Sequence, residues 1–461
     1  MNVSKEAFGN NFIWGVATAA YQIEGAHCKN GKGQSIWDVF SNTKGKIINN
    51  ENGNDACNFY EHYCSDISLA YSLNIKNFRL SISWSRLFPQ GFGKINSDGV
   101  DYYNRVIDFC CEIGVVPWIT LYHWDLPYEL EKNGGWTNRD IVGWFAEYVT
   151  FCIRTFGDRV TNWMVLNEPM VFTGAGYFLG LHAPGKRGLG NFLPAAHHAA
   201  LAQAVGLRII KTESAVFKAG TTFSTSHVEP ASSSDNDIAA AIKVDALLNR
   251  FFLEPLLGLG YPLKDLKFLQ GIEQYMKPND EADLVAEADF IGLQIYTREI
   301  VKFSPYIPLI NAKIVKADQR NVERTAMNWE VYPASMYHML KKFAAYRNIK
   351  EIIVTENGAA FPDELQDDKI EDQKRINYLQ QNIEQLWRAK QEGVNVNGYF
   401  VWTLMDNFEW SEGYRPRFGL VYVDFATDKR VIKASGYWYQ QFLSSTSQVV
   451  PVQEDFLSLI N

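Results

Sequence analysis

Cysteine is scarce, at 6 of 461 residues (Cys28, Cys57, Cys64, Cys110, Cys111 and Cys152). That excludes a disulfide framework in a chain this long, and no Cys-x-x-Cys pair suggests zinc or redox work. The first residues, Met1 to Ala7, hold no apolar stretch resembling a signal peptide, so a cytoplasmic protein with reduced cysteines is expected. No segment approaches about 18 consecutive apolar residues, and nothing is expected to span a membrane. Positive charge is in deficit too: 44 Lys and Arg against 52 Asp and Glu give a net charge of −8. Without a Lys/Arg block, the electrostatic footprint of a nucleic-acid binder is missing. No low-complexity segment, Pro/Gly/Ser-rich linker or clear repeat divides the chain, which is read as one domain over 1–461. HExxH, a P-loop and a GxGxxG after a strand are absent, so no metal and no cofactor is expected. Self-association into a homo-oligomer is left open.

What is present is an ordinary apolar fraction of 47% with an aromatic share of 14%, including 13 Trp, 23 Tyr and 29 Phe. Most of these rings suit a large core. A subset suits a pocket that stacks on flat, weakly charged faces such as sugar rings. Short β-rich apolar runs alternate with amphipathic helical stretches, which predicts parallel βαβ units. The runs read as strands are 12–17, 76–81, 115–122, 160–166, 220–224, 290–295, 351–355 and 398–403, eight in all. Between them lie helices with apolar spacing of three to four residues, ending at Gly114, Gly157 and Gly393. Glycine there is expected to supply the left-handed residue that stops each helix. Eight such units predict an α/β fold, a closed (β/α)₈ barrel with extended loops at its C-terminal face, although an open doubly wound sheet shows the same local signals. The connection 297–350 is the longest irregular region and is expected to build part of the rim.

Polar residues gather where several runs end: Tyr122-His123-Trp124-Asp125, Asn167-Glu168-Pro169, Gln294-Ile295-Tyr296, Glu356-Asn357-Gly358, and Trp402 followed by Asp406 to Trp410. Barrel enzymes carry their chemistry at the C-terminal strand ends. A lone Glu after a strand is more often a helix cap, and a lone His is usually structural, as His197 and His198 are read here. Two carboxylates on strands four and seven, across the barrel mouth from each other, shift that balance. Glycoside hydrolysis needs one protonated and one ionised carboxyl and nothing else.

The segments 12–25 (Phe12 to Gly25), 78–84, 121–127, Asn167-Glu168-Pro169, 354–358 and 406–410 together resemble glycoside hydrolase family 1, the β-glucosidase family, over nearly the whole chain. The resemblance implies a retaining β-glycosidase acting on small β-glucosides and short β-linked oligosaccharides. It implies Glu168 as acid/base and Glu356 as nucleophile, with Arg79, Tyr296 and Gln294 beside the nucleophile. It implies Asn167 at the sugar 2-hydroxyl, and Gln22, His123, Glu409 and Trp410 at the other hydroxyls. Trp402 is implied as the floor, Trp329 as a wall for the leaving group, and Phe418 near the 6-position. Arg79 is expected to lower the pKa of Glu356, and an apolar setting with a neighbouring carboxylate to raise that of Glu168. The carboxyls are expected to lie about 5–5.5 Å apart.

Two positions depart from the family pattern. Gln294 stands where Asn is usual, which puts a hydrogen bond near the nucleophile in question. Met170 stands where an aromatic residue often follows Asn-Glu-Pro, which suggests a softer, wider leaving-group site. The alternatives are a β-galactosidase or β-fucosidase of the family, a 6-phospho-β-glycosidase, and an inactive sugar-binding relative. The phospho-branch resembles this chain but carries Ser, Lys and Tyr at the positions of Glu409, Pro416 and Phe418.

Overall fold

The computed structural model describes residues 3–444. The expected single domain over 1–461 therefore includes residues 1–2 and 445–461, which lie outside the described residues. The strands in chain order are β1 (Ile13–Ala17), β2 (Asn77–Ser81), β3 (Val116–Tyr122), β4 (Asn162–Asn167), β5 (Lys218–Pro230) and β6 (Phe290–Phe303). They continue with β7 (Ala312–Ile314), β8 (Ile352–Asn357), β9 (Val396–Trp402), β10 (Val421–Asp424) and β11 (Lys429–Ile432). Eight of them, β1 to β6 with β8 and β9, pair in parallel, each with its neighbours. The pairings β5–β6 and β1–β9 (Ile13 opposite Gly398) close the ring. The expected (β/α)₈ barrel is found, and all eight predicted strands fall on it.

Bulky side chains fill the barrel interior: Trp118, Met164, Phe290, Ile353 and Phe400 form one buried cluster. They fit because glycine stands opposite some of the rings. A Cβ on Gly15 would sit 2.6 Å from the Phe400 ring, and one on Gly220 would sit 2.5 Å from the Phe290 ring. The outer layer is helical. The helix Ile141–Phe156 buries Ile141, Phe145, Tyr148, Val149, Cys152, Ile153 and Phe156, a stripe at helical spacing. Burying each of its large apolar side chains is worth about 1.5–3 kcal/mol.

Gly114 and Gly393 take the expected left-handed conformation, with φ of 78° and 88°. Gly157 does not: its φ is −70°. It is small for another reason, since a Cβ there would meet the Ile153 carbonyl oxygen at 2.4 Å and the Phe217 ring at 2.7 Å. The connection expected to be irregular over 297–350 is more ordered than its sequence suggests. Strand β6 runs on to Phe303 and pairs antiparallel with β7, and a helix spans Ala334–Ala344. The β10–β11 hairpin, which carries no strong turn signal, was also unexpected.

A buried ionic cluster fastens the last described helix, Ala434–Leu443, to the barrel. Lys433, fully buried, donates to Asp406 (2.6 Å) and Asp363 (2.5 Å). Arg375 bonds Asp363 at 3.1 Å and also Asp372. Among the described residues, no helix is long and apolar enough to cross a membrane.

Candidate active site

Arg79, on β2 and fully buried, organises the centre of the barrel mouth. Its Nε donates to Thr120 Oγ1 on β3 at 3.1 Å, and its Nη2 to Asn167 Oδ1 on β4 at 2.6 Å. Its Nη1 donates to Glu356 on β8. One guanidinium thus ties four strands together.

Glu356 collects three donors. Oε1 accepts from Arg79 and from Gln294 Nε2 (2.8 Å), and Oε2 accepts from the Tyr296 hydroxyl (2.7 Å). The longer arm of Gln294 still reaches the carboxylate, and also Asn167 Oδ1 at 2.6 Å. The expected lowering of the Glu356 pKa does not survive. Burial raises it above the ordinary carboxyl range, and Arg79 and Tyr296 only offset part of that. Charge and hydrogen bonds favour the ionised form, but desolvation in a closed barrel mouth is the larger effect.

Glu168 follows β4 in a left-handed conformation (φ 47°) at the start of the helix Pro169–Thr173. Among the described residues, no cation pairs with its carboxyl. Burial, and then the charge of Glu356, hold it well above the usual range, against the opposing pull of the Ser224 hydrogen bond and the charge of Arg79. The two carboxyls therefore sit in one cavity with unequal support, and the protonated form is favoured more strongly at Glu168 than at Glu356.

The hydrogen bonds of Asn167 settle a tautomer. Its Oδ1 is surrounded by donors from Arg79, Gln294 and Thr222 (3.0 Å), so its Nδ2 faces His123 Nε2 at 2.9 Å. An amide nitrogen only donates, so Nε2 accepts and the imidazole proton is assigned to Nδ1. Burial and the charge of Arg79 hold the His123 pKa well below its usual value, so the ring is neutral. His123 Nδ1 and Gln22 Oε1 are buried without a partner among the described residues. Gln22 Nε2 donates to the Phe408 carbonyl (2.9 Å) and Glu409 Oε2 (3.3 Å). Burial and the charge of Glu356 push Glu409 up to about 8.

Around these groups lies a cavity of about 340 Å³ whose wall includes Glu168, Glu356, His123, Trp402, Glu409 and Trp410. That volume is within the range of roughly 300–1,000 Å³ for small-molecule sites. The His123 ring lies nearly parallel to Trp402 and Trp410, with centroids 6.0 and 5.9 Å away. Tyr296, Trp329 and Phe418 form a second aromatic group, with Trp329 centred 5.2 Å from Tyr296 and 6.1 Å from Phe418. Every predicted site residue is at or immediately behind this wall. Gln22, Arg79, Asn167 and Gln294 are fully or almost fully buried and stand just behind the residues that line the cavity.

Met170 is a correction. It is not among the wall residues, and its terminal methyl packs where a Cβ on Gly174 would stand. It therefore packs behind the wall and does not border the cavity as expected. Sequence reasoning missed Thr222, whose hydroxyl orients Asn167, and His182 and Ser224 in the wall. The polar run Ser224-Thr225-Ser226 at the end of a strand was a usable signal for the last of these; His182, in a loop, had none.

Residues 4–448 match the family model described as Glycosyl hydrolase family 1. The chain is 44% identical over 450 residues to Beta-glucosidase A of Thermotoga maritima, covering 96% of this chain and 99% of that protein. It is 42% identical to Beta-glucosidase A of Acetivibrio thermocellus, again with 96% and 99% covered. A solved family 1 β-glucosidase from Thermotoga maritima superposes with a TM-score of 0.91 at 44% identity, covering 94% of this chain and 97% of that one. The beta-glucosidase from Thermotoga maritima in complex with deoxynojirimycin gives 0.91 at 43% identity, with 94% and 98% covered.

Proposed function

The chain belongs to glycosyl hydrolase family 1, and on that premise we propose that it is a retaining β-glucosidase with Glu356 as nucleophile and Glu168 as acid/base. The observation that carries the assignment is the unequal support of the two carboxyls. Glu356 has three donors that favour its anion, whereas Glu168 has burial and a neighbouring negative charge that keep it protonated.

The terminal sugar lies over Trp402, with Trp410, Gln22, Glu409 and the Nδ1–H of His123 at its hydroxyls. Asn167 meets the 2-hydroxyl, and Phe418 lies near the 6-position. Glu356 attacks the anomeric carbon from the α face. The bond to the leaving oxygen breaks as Glu168 transfers its proton to that oxygen, and the leaving group departs past Trp329. The product of this half is an ester between Glu356 and the sugar. Esterification removes the negative charge that was raising the pKa of Glu168, so Glu168 becomes a competent base. It takes a proton from water as the water oxygen attacks the anomeric carbon. Glu356 leaves as carboxylate, and two inversions return the β configuration.

Glucose as the terminal sugar is supported by the likeness to proteins named β-glucosidases. A cytoplasmic setting is supported by six unpaired cysteines. Hydrolysis of p-nitrophenyl β-glucoside followed by proton NMR tests the reading: β-glucose should form first and mutarotate later. Initial release of α-glucose, or faster turnover of glucoside 6-phosphates than of the free glucosides, would overturn it.

A further inference from the structure

A second cavity of about 340 Å³ continues from the first, and the two share the wall residues Thr297, Glu299, Ile314, Met327 and Trp329. Glu299 is the only charged residue in that shared wall. It reaches this position through a fault in the sheet. Between the pairs Thr225–Ile295 and His227–Arg298, β5 advances two residues and β6 advances three. The extra residue reverses the alternation of β6, so that Thr297 and Glu299 face the cavity although Tyr296 does as well. From Tyr296, whose hydroxyl meets Glu356 at 2.7 Å, three residues of strand rise carry Glu299 about 10 Å further toward the mouth.

Glu299 is half-buried, and its carboxyl accepts no hydrogen bond from any described residue. Burial raises its pKa to about 7, with Arg320 pulling it down and Glu330 pushing it up. The neighbouring arginines are committed elsewhere. Arg298 bonds Glu330 (2.9 Å) and Glu229 (3.1 Å), and Arg320 Nη1 bonds Glu330 (2.5 Å). Arg320 lines the second cavity, and its Nε has no partner. A structural carboxyl in such a place would be paired, because a desolvated and unpaired one is costly. An unpaired acceptor, a free N–H, the face of Trp329 and the apolar Met327 and Ile314 together match a pyranose, which has apolar faces and a rim of hydroxyls.

We propose that Glu299 reads a hydroxyl of the second sugar in the leaving group, in a subsite that runs from Trp329 toward Arg320. The favoured substrates are then β-linked gluco-oligosaccharides longer than a disaccharide. This rests on the β-glucosidase reading above.

The test compares wild type with Glu299→Leu and Glu299→Gln on p-nitrophenyl β-glucoside, cellobiose and cellotriose. Wild type should have a higher kcat/KM on cellotriose than on cellobiose. In Glu299→Leu the ratio of kcat/KM for cellotriose to that for the aryl glucoside should fall by about tenfold or more, mainly through KM. Glu299→Gln, which keeps one acceptor oxygen, should lose less. Unfolding midpoints should stay level or rise, because the carboxyl removed is unpaired. An unchanged ratio, an equal loss on all three substrates, or a wild-type preference for cellobiose would overturn the subsite alone. A wild type inactive on the aryl glucoside would bring down the glucosidase reading and the subsite with it.

Discussion

Tyr296→Phe isolates one of the three donors to Glu356 and so measures how the nucleophile is kept ionised. The Tyr296 hydroxyl donates at 2.7 Å to Oε2, whereas Arg79 and Gln294 both serve Oε1. The variant keeps the ring and its packing on Trp329 but leaves Oε2 without its donor. A hydrogen bond to a charged acceptor contributes about 1.5–3 kcal/mol. At 1.36 kcal/mol per unit, its loss should raise the Glu356 pKa by about one to two units. The sign follows from the chemistry: the bond favours the anion, so removing it makes protonation easier. Activity that needs the anion is then lost at a higher pH. The assay is kcat/KM for p-nitrophenyl β-glucoside across the pH range, which reports groups of the free enzyme. The acid limb should move up by about one to two units, whatever happens to the plateau. An acid limb that stays in place or moves down would refute the argument that Tyr296 supports the ionised nucleophile.

Glu168→Ala should slow glucosides with poor leaving groups far more than activated aryl glucosides, and should remove the alkaline limb, because that limb reports loss of the acid's proton. An equal loss on both substrates with the limb intact would reassign the acid. Glu356→Gly should lose several orders of magnitude in kcat, and added azide should restore cleavage of an activated aryl β-glucoside with the α-glycosyl azide as product. A β-azide, or near-normal activity without azide, would refute the nucleophile. Lys433→Met should destabilise the fold by about 3–5 kcal/mol in denaturant unfolding, because Asp363 and Asp406 each lose the buried cation. A change below about 1 kcal/mol would show that Arg375, which bonds Asp363, and Arg417, which bonds Asp406 at 2.8 Å, suffice.

The barrel was legible because its strands are short apolar runs whose last residues turn polar together. The carboxylates were legible because each sits in a distinctive setting, Asn167-Glu168-Pro169 and Thr355-Glu356-Asn357. The rest depends on quantities that local pattern does not carry. The charge beside Glu356 could be anticipated, but the depth of its burial could not, and burial set the sign of its shift. Glu299 was hidden because the strand read over 290–295 stops short of it, and alternation along the full β6 would still give it the wrong face unless the bulge is known. Met170 misled because adjacency to Glu168 in the chain is not adjacency in the cavity. Gly157 looked like a helix stop and is instead a point of close contact.

The joining of β1 to β9 sets the order in which the molecule can be made. Ile13 waits for Gly398, so during synthesis the first strand carries an open edge until nearly the whole chain has emerged. An open edge and non-local pairing both slow folding and invite association with other chains. Before β9 emerges, Glu168 and Glu356 are already present but Trp402 and Glu409 are not, and the ring that brings the two carboxyls to one mouth is still unsealed. Nascent and truncated chains ending before β9 should therefore carry both proposed catalytic groups and hydrolyse nothing. Activity should arrive in a single late step, once β9 and the segment through Glu409 have emerged.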